Sequence, residues 1–236
     1  MSVTAVKYDR GMSRWEPNAR GRLEQAALEL YLERGFDQTT VAEIAARAGL
    51  TERTFFRHFA DKREVLFWGA ASLQDLLVST LASTPASVAP IDAIAAALAA
   101  AGAMLQERRE YAGKRQAVIA SNTELQEREL IKLASLAAAL AGTLRHRGVR
   151  EPAASLAAEA GIAVFRIAFE LWVSAAGEAD LPQLIRESFD ELKAVTAGKL
   201  SPAPACQDDE SDLAATCAGR RIWPWSGNGR FWQARE

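Results

Sequence analysis

Residues 38–59 constrain this chain more than any other stretch, because their spacing admits two short helices around a tight turn and little else. Thr40 followed by Glu43 is a capping box, in which hydroxyl and carboxylate satisfy N–H groups left without partners at a helix start. Val41, Ile44, Ala45 and Ala48 recur at helical spacing and give that helix one apolar face. Gly49 supplies the residue that can close it in the left-handed conformation, and Leu50 can fold back onto the core. Thr51 caps a second helix whose Phe55 and Phe59 point inward at i, i+4. Glu52, Arg53, Thr54, Arg57 and His58 are left on its other face. This is a helix-turn-helix, the motif whose second helix lies in the major groove of DNA.

An amphipathic helix precedes it. Leu23, Ala26, Ala27, Leu30 and Tyr31 form a stripe over residues 19–34, Gly35 stops the helix, and Phe36 plugs the core. The run Thr51-Glu52-Arg53-Thr54-Phe55-Phe56-Arg57-His58-Phe59-Ala60-Asp61-Lys62-Arg63-Glu64-Val65-Leu66 resembles the end of the DNA-binding domain of TetR-family transcriptional regulators. Residues 26–36 resemble that family's first helix. The resemblance implies an all-α protein, in which a three-helix DNA-binding domain is followed by a larger helical effector-binding and dimerisation domain. It further implies a cytoplasmic, bacterial, ligand-responsive repressor that binds a palindromic double-stranded operator as a homodimer, its recognition helices entering major grooves about 34 Å apart.

Base readout falls to the outward residues of the recognition helix: Glu52, Arg53, Thr54 and, one turn on, Arg57. Thr40 and Thr51 stand at helix N-termini, where each hydroxyl serves as a cap, a phosphate donor or both. Arg47 can reach phosphate from the first helix of the motif or remain solvated. Lys62 resembles the family's phosphate-binding lysine, and His58 the position that contacts the DNA backbone, although a histidine packed beside aromatics also fits. Phe56 is a departure: the family commonly has Tyr there, so the hydroxyl that reaches phosphate is missing, and the ring is expected to pack or to touch a base methyl.

Beyond the motif, Asp61 with Glu64 repeats the capping signature and predicts a long helix with Val65, Leu66, Leu73, Leu76, Leu77 and Leu81 on one face. A loop rich in Ser and Pro follows over 83–90, then helices over 91–111, 112–121 and 125–147. Residues 153–176 are apolar almost all round, and Asp180 is expected to cap a final helix. Paired with their symmetry copies, these last two helices predict an intermolecular four-helix bundle through Leu156, Ala160, Val164, Ile167, Leu171, Leu184, Ser188 and Leu192.

An apolar effector pocket between helices is expected from Trp68, Met104, Tyr111, Phe165, Phe169 and Trp172, with Arg108, Arg115 and Arg166 available to an acidic head group. Plain core is the competing role for each of these aromatics. The C-terminal half also resembles that of mycofactocin-type regulators, which implies an acyl-like or otherwise hydrophobic small molecule. The domain plan is therefore a flexible basic arm (1–18, with Lys7, Arg10, Arg14 and Trp15), the helix-turn-helix domain (19–65), the helical ligand-binding and dimerisation domain (66–199), and a tail read as disordered (200–236).

Composition closes off other classes. A net charge of -2 argues against indiscriminate binding to nucleic acid and leaves DNA contact to a local patch. No uncharged apolar run approaches the length of a membrane span, and the N-terminus lacks a signal-peptide core. Cys206 and Cys217 make no disulfide framework. No nucleophile elbow, metal-ligand spacing or glycine-rich phosphate loop is present, so neither catalysis nor a cofactor is expected. The rival readings are an activator or ligand-independent DNA-binding protein and, more remotely, a helical small-molecule-binding protein or enzyme. The aromatic tail (Trp223, Trp225, Phe231, Trp232) has no assigned role.

Overall fold

The computed structural model describes residues 18–175 and 179–199, and all of its described elements are helical. The N-terminal arm, residues 176–178 and the aromatic tail lie outside the described residues. Helix α1 (Ala19–Arg34) begins at Asn18, whose side chain accepts from the Gly21 N–H, and ends at Gly35 with φ 86°. Helix α2 (Val41–Arg47) carries the full capping box of Thr40 and Glu43, and α3 (Glu52–His58) is capped by Thr51, which accepts from the Thr54 N–H. Between them Gly49 sits at φ 65°, and the Leu50 N–H returns to the Ala45 carbonyl at 2.8 Å. A side chain at Gly49 would pay for that left-handed geometry, which glycine adopts freely.

The long helix expected from Asp61 does not form. Instead Glu64–Leu66 makes a single 3-10 turn, the chain bends through Gly69, and α4 runs Ala70–Ser83. The capping signature is real, since the Asp61 carboxylate accepts from the Arg63 and Glu64 N–H groups, but it supports one tight turn. The bend lets Val65, Leu66 and Phe67 enter one core while Leu77 and Leu81 enter another. Glu64–Ser83 is long and apolar enough, with mean hydropathy 1.4, to cross a membrane by length and composition. Of that stretch Val65, Leu66 and Phe67 are buried in one core and Leu77 and Leu81 in the other.

Helices α5 (Pro90–Gln106), α6 (Arg109–Ala120), α7 (Thr123–His146), α8 (Ala153–Ser174) and α9 (Leu181–Thr196) complete the body. Asn122 caps α7, its side chain accepting from the Leu125 N–H, but Asp180 makes no cap bond to α9. There the Leu181 N–H donates to Gln106 Oε1 at 3.0 Å, and Gln106 Nε2 donates to the Ala179 carbonyl at 2.8 Å. A residue of α5 thus performs the capping that local sequence assigned to Asp180.

Two hydrophobic cores result. The body core holds α4, α5, α7, α8 and α9 around Ile94, Leu98, Trp172 and Phe189. Close approach there depends on Gly161, where a Cβ would meet Ile94 at 2.3 Å. The helix-turn-helix core holds Leu23, Leu30, Ile44 and Phe55 but also Val118, Ile119 and Leu125 from the α6–α7 hairpin. A three-helix unit of this size buries too little alone, so it borrows apolar cover from the body.

Candidate nucleic-acid interface

Among the described residues, most arginines around helix α3 have carboxylate partners. Arg34 pairs with Glu43 at 2.9 Å, Arg47 with Glu33 at 2.8 Å and Glu29 at 3.5 Å, and Arg63 with Asp61 at 2.7 Å and with Glu124. Arg20 lies over the Trp68 ring at 5.3 Å. Arg53 and Arg57 are exposed, four residues apart on the face opposite the fully buried Phe55, and form no ion pair. A guanidinium there can bond a guanine edge in bidentate fashion, or a phosphate.

The remaining predicted residues divide sharply. Glu52 is exposed on α3, while Thr54 is half-buried with its hydroxyl 3.1 Å from that of Thr51. Thr40 and Thr51 are both exposed, and both hydroxyls are engaged in caps. Phe56 is 56% exposed, so it is not a packing residue. His58 is half-buried between Phe59 and the Arg20 and Arg57 charges, its Nε2 buried without a hydrogen-bond partner. Burial first, then those two arginines, hold its imidazole below the ordinary histidine range.

Two of the side chains expected to contact phosphate are engaged within the chain. Arg47 folds back onto α1, and its hydrogen bond to Glu33 is the main reason that carboxyl lies below its usual range. Lys62 turns inward. Its ammonium donates to the carbonyls of Phe36 at 2.8 Å, Thr39 at 2.9 Å and Asp37 at 3.3 Å, and sits 4.3 Å from the Phe36 ring centroid. All three ammonium protons therefore clamp the α1–α2 loop, and the Lys62 carbonyl in turn accepts from the Tyr31 hydroxyl at 2.6 Å. Local spacing gave no sign of this clamp, because its partners lie 23 to 26 residues away.

The effector residues do not converge. Trp68 and Tyr111 pack against the helix-turn-helix core, whereas Phe165 and Trp172 belong to the body core, with Phe169 stacked between them at 6.0 and 5.5 Å. Arg115 donates to the Leu66 carbonyl at 2.7 Å and to Glu129 at 3.1 Å, so it is a strut; Arg166 and Met104 are exposed. Of the two cavities described, a groove of about 550 Å³ runs beside α1 and the α2–α3 turn, and one of about 230 Å³ lies between α7 and α8. Neither is lined by any residue of the expected pocket.

A seam that sequence reading missed joins the two cores. Arg108 donates to Glu24 at 3.0 Å and covers the Tyr111 ring, while Arg128 and Lys132 reach Glu64 at 2.7 and 3.2 Å. Arg63 meets Glu124, and Asn122 donates to Asp37 at 3.2 Å. These links span 61 to 85 residues of sequence, beyond the reach of any helical periodicity. On α8, Leu156, Ile167 and Leu171 are 66%, 50% and 52% exposed, and Ala160 is half-exposed along the same stripe. Val164 is buried within the chain, so it is not part of that exposed face; Leu184, Ser188 and Leu192 of α9 are half-exposed.

Comparison with known proteins agrees with this geometry. Residues 24–67 match the family described as bacterial regulatory proteins, tetR family, and residues 88–197 match the MftR C-terminal domain. The HTH-type transcriptional regulator TcmR of Streptomyces glaucescens is 38% identical over 81 residues, which cover 34% of this chain and 36% of that protein. The transcriptional regulator FadR of Bacillus subtilis, solved in complex with stearoyl-CoA, shares the fold at TM-score 0.54 and 20% identity over 73% of this chain and 96% of its own. SmeT, the repressor of the Stenotrophomonas maltophilia multidrug efflux pump SmeDEF, does so at TM-score 0.51 and 22% identity over 78% and 94%. With an N-terminal helix-turn-helix and a C-terminal helical body that each match a family of regulators and not of enzymes, this chain belongs to the TetR family of bacterial regulatory proteins.

Proposed function

We propose that the protein is a cytoplasmic, effector-responsive repressor that binds a near-palindromic operator as a homodimer. The observation that carries the DNA-binding part is a contrast within the helix-turn-helix: Arg34 and Arg47 are paired with carboxylates, Arg20 lies over the Trp68 ring and Lys62 turns inward, while Arg53 and Arg57 stand exposed on the recognition helix without an ion pair among the described residues. Two such helices related by a twofold axis would meet successive major grooves.

The exposed α8 stripe supports self-association, since a run of large apolar side chains at helical spacing is covered in a stable assembly. Effector response is supported by the body's match to the MftR C-terminal domain and by the acyl-CoA complex of the B. subtilis structural relative. The α5–α6 junction offers the route. Gln106 holds the α8–α9 connection, Arg109 donates to the Trp172 and Ala175 carbonyls at the end of α8, and Arg108 between them holds α1 through Glu24. A molecule that favours one arrangement of these helices changes the spacing of the recognition helices only by as much as it prefers that arrangement, typically about 1 to 3 kcal/mol.

The test is selection of binding sites from a random duplex pool by the full chain, followed by salt-titrated affinity measurement and mass spectrometry of small molecules that co-purify with the native protein. A recovered palindrome whose affinity falls as a co-purified compound is added bears the reading out. Failure to enrich any sequence, with no difference between selected and random duplex, overturns it.

A further inference from the structure

Glu64 reaches out of the helix-turn-helix domain with its carboxylate. It stands in the 3-10 turn six residues past the end of α3, and the bond that closes this turn at Asp61 uses the Glu64 N–H and not its side chain. That side chain is only 21% exposed, and two cations of α7 grip it. Arg128 donates to Oε1 through Nε at 2.7 Å and through a second guanidinium nitrogen, and Lys132, one turn along the helix, donates to Oε2 at 3.2 Å. Both oxygens are thus held from the body. A solvated ion pair would add little, but this one is half-buried, bonded at both oxygens and flanked by the Arg115 bond to the Leu66 carbonyl.

The rest of the junction leaves orientation open. The backbone bends through Gly69 into α4, and the apolar cover from Val118, Ile119 and Leu125 attracts without direction. Charge-assisted hydrogen bonds are directional, and two donors a helical turn apart hold a carboxylate against sliding along the helix that carries them. In a twofold protein the half-site separation follows from where each body holds its recognition helix. We propose that Glu64 is a positioning residue for operator recognition: through Arg128 and Lys132 it fixes the angle of α3 on the body, and with it the half-site spacing that the dimer accepts. This rests on the homodimeric DNA-binding reading above.

The test uses the full chain and three duplexes: the selected operator, and the same half-sites moved one base pair apart or together. Affinities are measured by fluorescence anisotropy at fixed salt for wild type, Glu64→Ala and Arg128→Gln, with thermal unfolding as the control for folding. Wild type should lose about tenfold or more on either altered spacing, because one base pair turns a half-site by roughly a tenth of a revolution. Glu64→Ala should bind the native spacing less tightly, yet differ by less than about threefold among the three duplexes, and Arg128→Gln should behave alike. A merely structural loss would lower affinity for all three by one common factor. That result, or a wild type indifferent to spacing, overturns the proposal while leaving DNA binding intact. If Glu64→Ala does not fold, Arg128→Gln decides by the same comparison. Recovery of no palindrome overturns both readings.

Discussion

Helix α3 leaves Arg53 and Arg57 in solvent, where a guanidinium is at rest; helix α8 leaves Leu156, Ile167 and Leu171 half-exposed or more, where each side chain forgoes roughly 1 to 2 kcal/mol of burial. The first surface waits for a charged partner and loses nothing by waiting. The second carries a cost for as long as it stays uncovered. Both stand on helices held by cores of their own, yet α3 is seven residues long and depends on α6 and α7 to complete its core, while α8 runs 22 residues through the middle of the body. The body supplies part of the core on which the recognition helix stands, so that helix is packed against α6 and α7 as well as against its own domain.

The sharpest way to break this contrast is at α8. Ile167→Glu together with Leu171→Glu should yield monomers by sedimentation velocity and lower operator affinity by about a hundredfold or more, because the second half-site is no longer held nearby. Retention of dimers would remove the stripe from the interface. Next in size is Lys62→Met, which strips three carbonyls of a charged donor and should lower stability by roughly 2 to 3 kcal/mol in denaturant unfolding. Unchanged stability with a uniform loss of duplex affinity would return Lys62 to the phosphate contact that sequence resemblance implied.

Arg53→Ala should narrow the gap between operator and random duplex by about 1 to 3 kcal/mol, with a smaller loss on random duplex. Equal losses on both would make it a phosphate contact. The smallest effect is at His58. Its folded form resists protonation, so the unfolded chain takes up a proton more readily as pH falls through the ordinary histidine range near 6.5 and below. Stability present at neutral pH therefore declines on acidification, and His58→Gln should flatten that part of the pH profile; an unaltered slope would assign it to other groups.

Much of the recognition unit was legible because its determinants are local. The caps at Thr40, Thr51 and Asn122 and the turn at Gly49 involve groups within five residues, and helical geometry brings such groups together whatever surrounds them. Where reading failed, the deciding partner was remote. Asp61 and Glu64 carry a genuine capping signature, yet the helix breaks because Val65 and Phe67 are drawn into one core and Leu77 into another. Trp68 and Trp172 are both aromatic and apolar, and nothing in their sequence context tells that they belong to different cores.

Sequence alone determined an all-helical chain with a helix-turn-helix near its start, the residues facing out from the recognition helix, and a body whose penultimate helix is too apolar to stand uncovered. Tertiary structure decided which cations remain outward, that Lys62 and Arg47 serve the fold, that Gln106 and not Asp180 caps the last helix, and that α6 and α7 complete the reading head's core. The reason is distance: periodicity and caps act over three to five residues, whereas a charge finds its partner through space, and that partner is chosen only when the helices have packed.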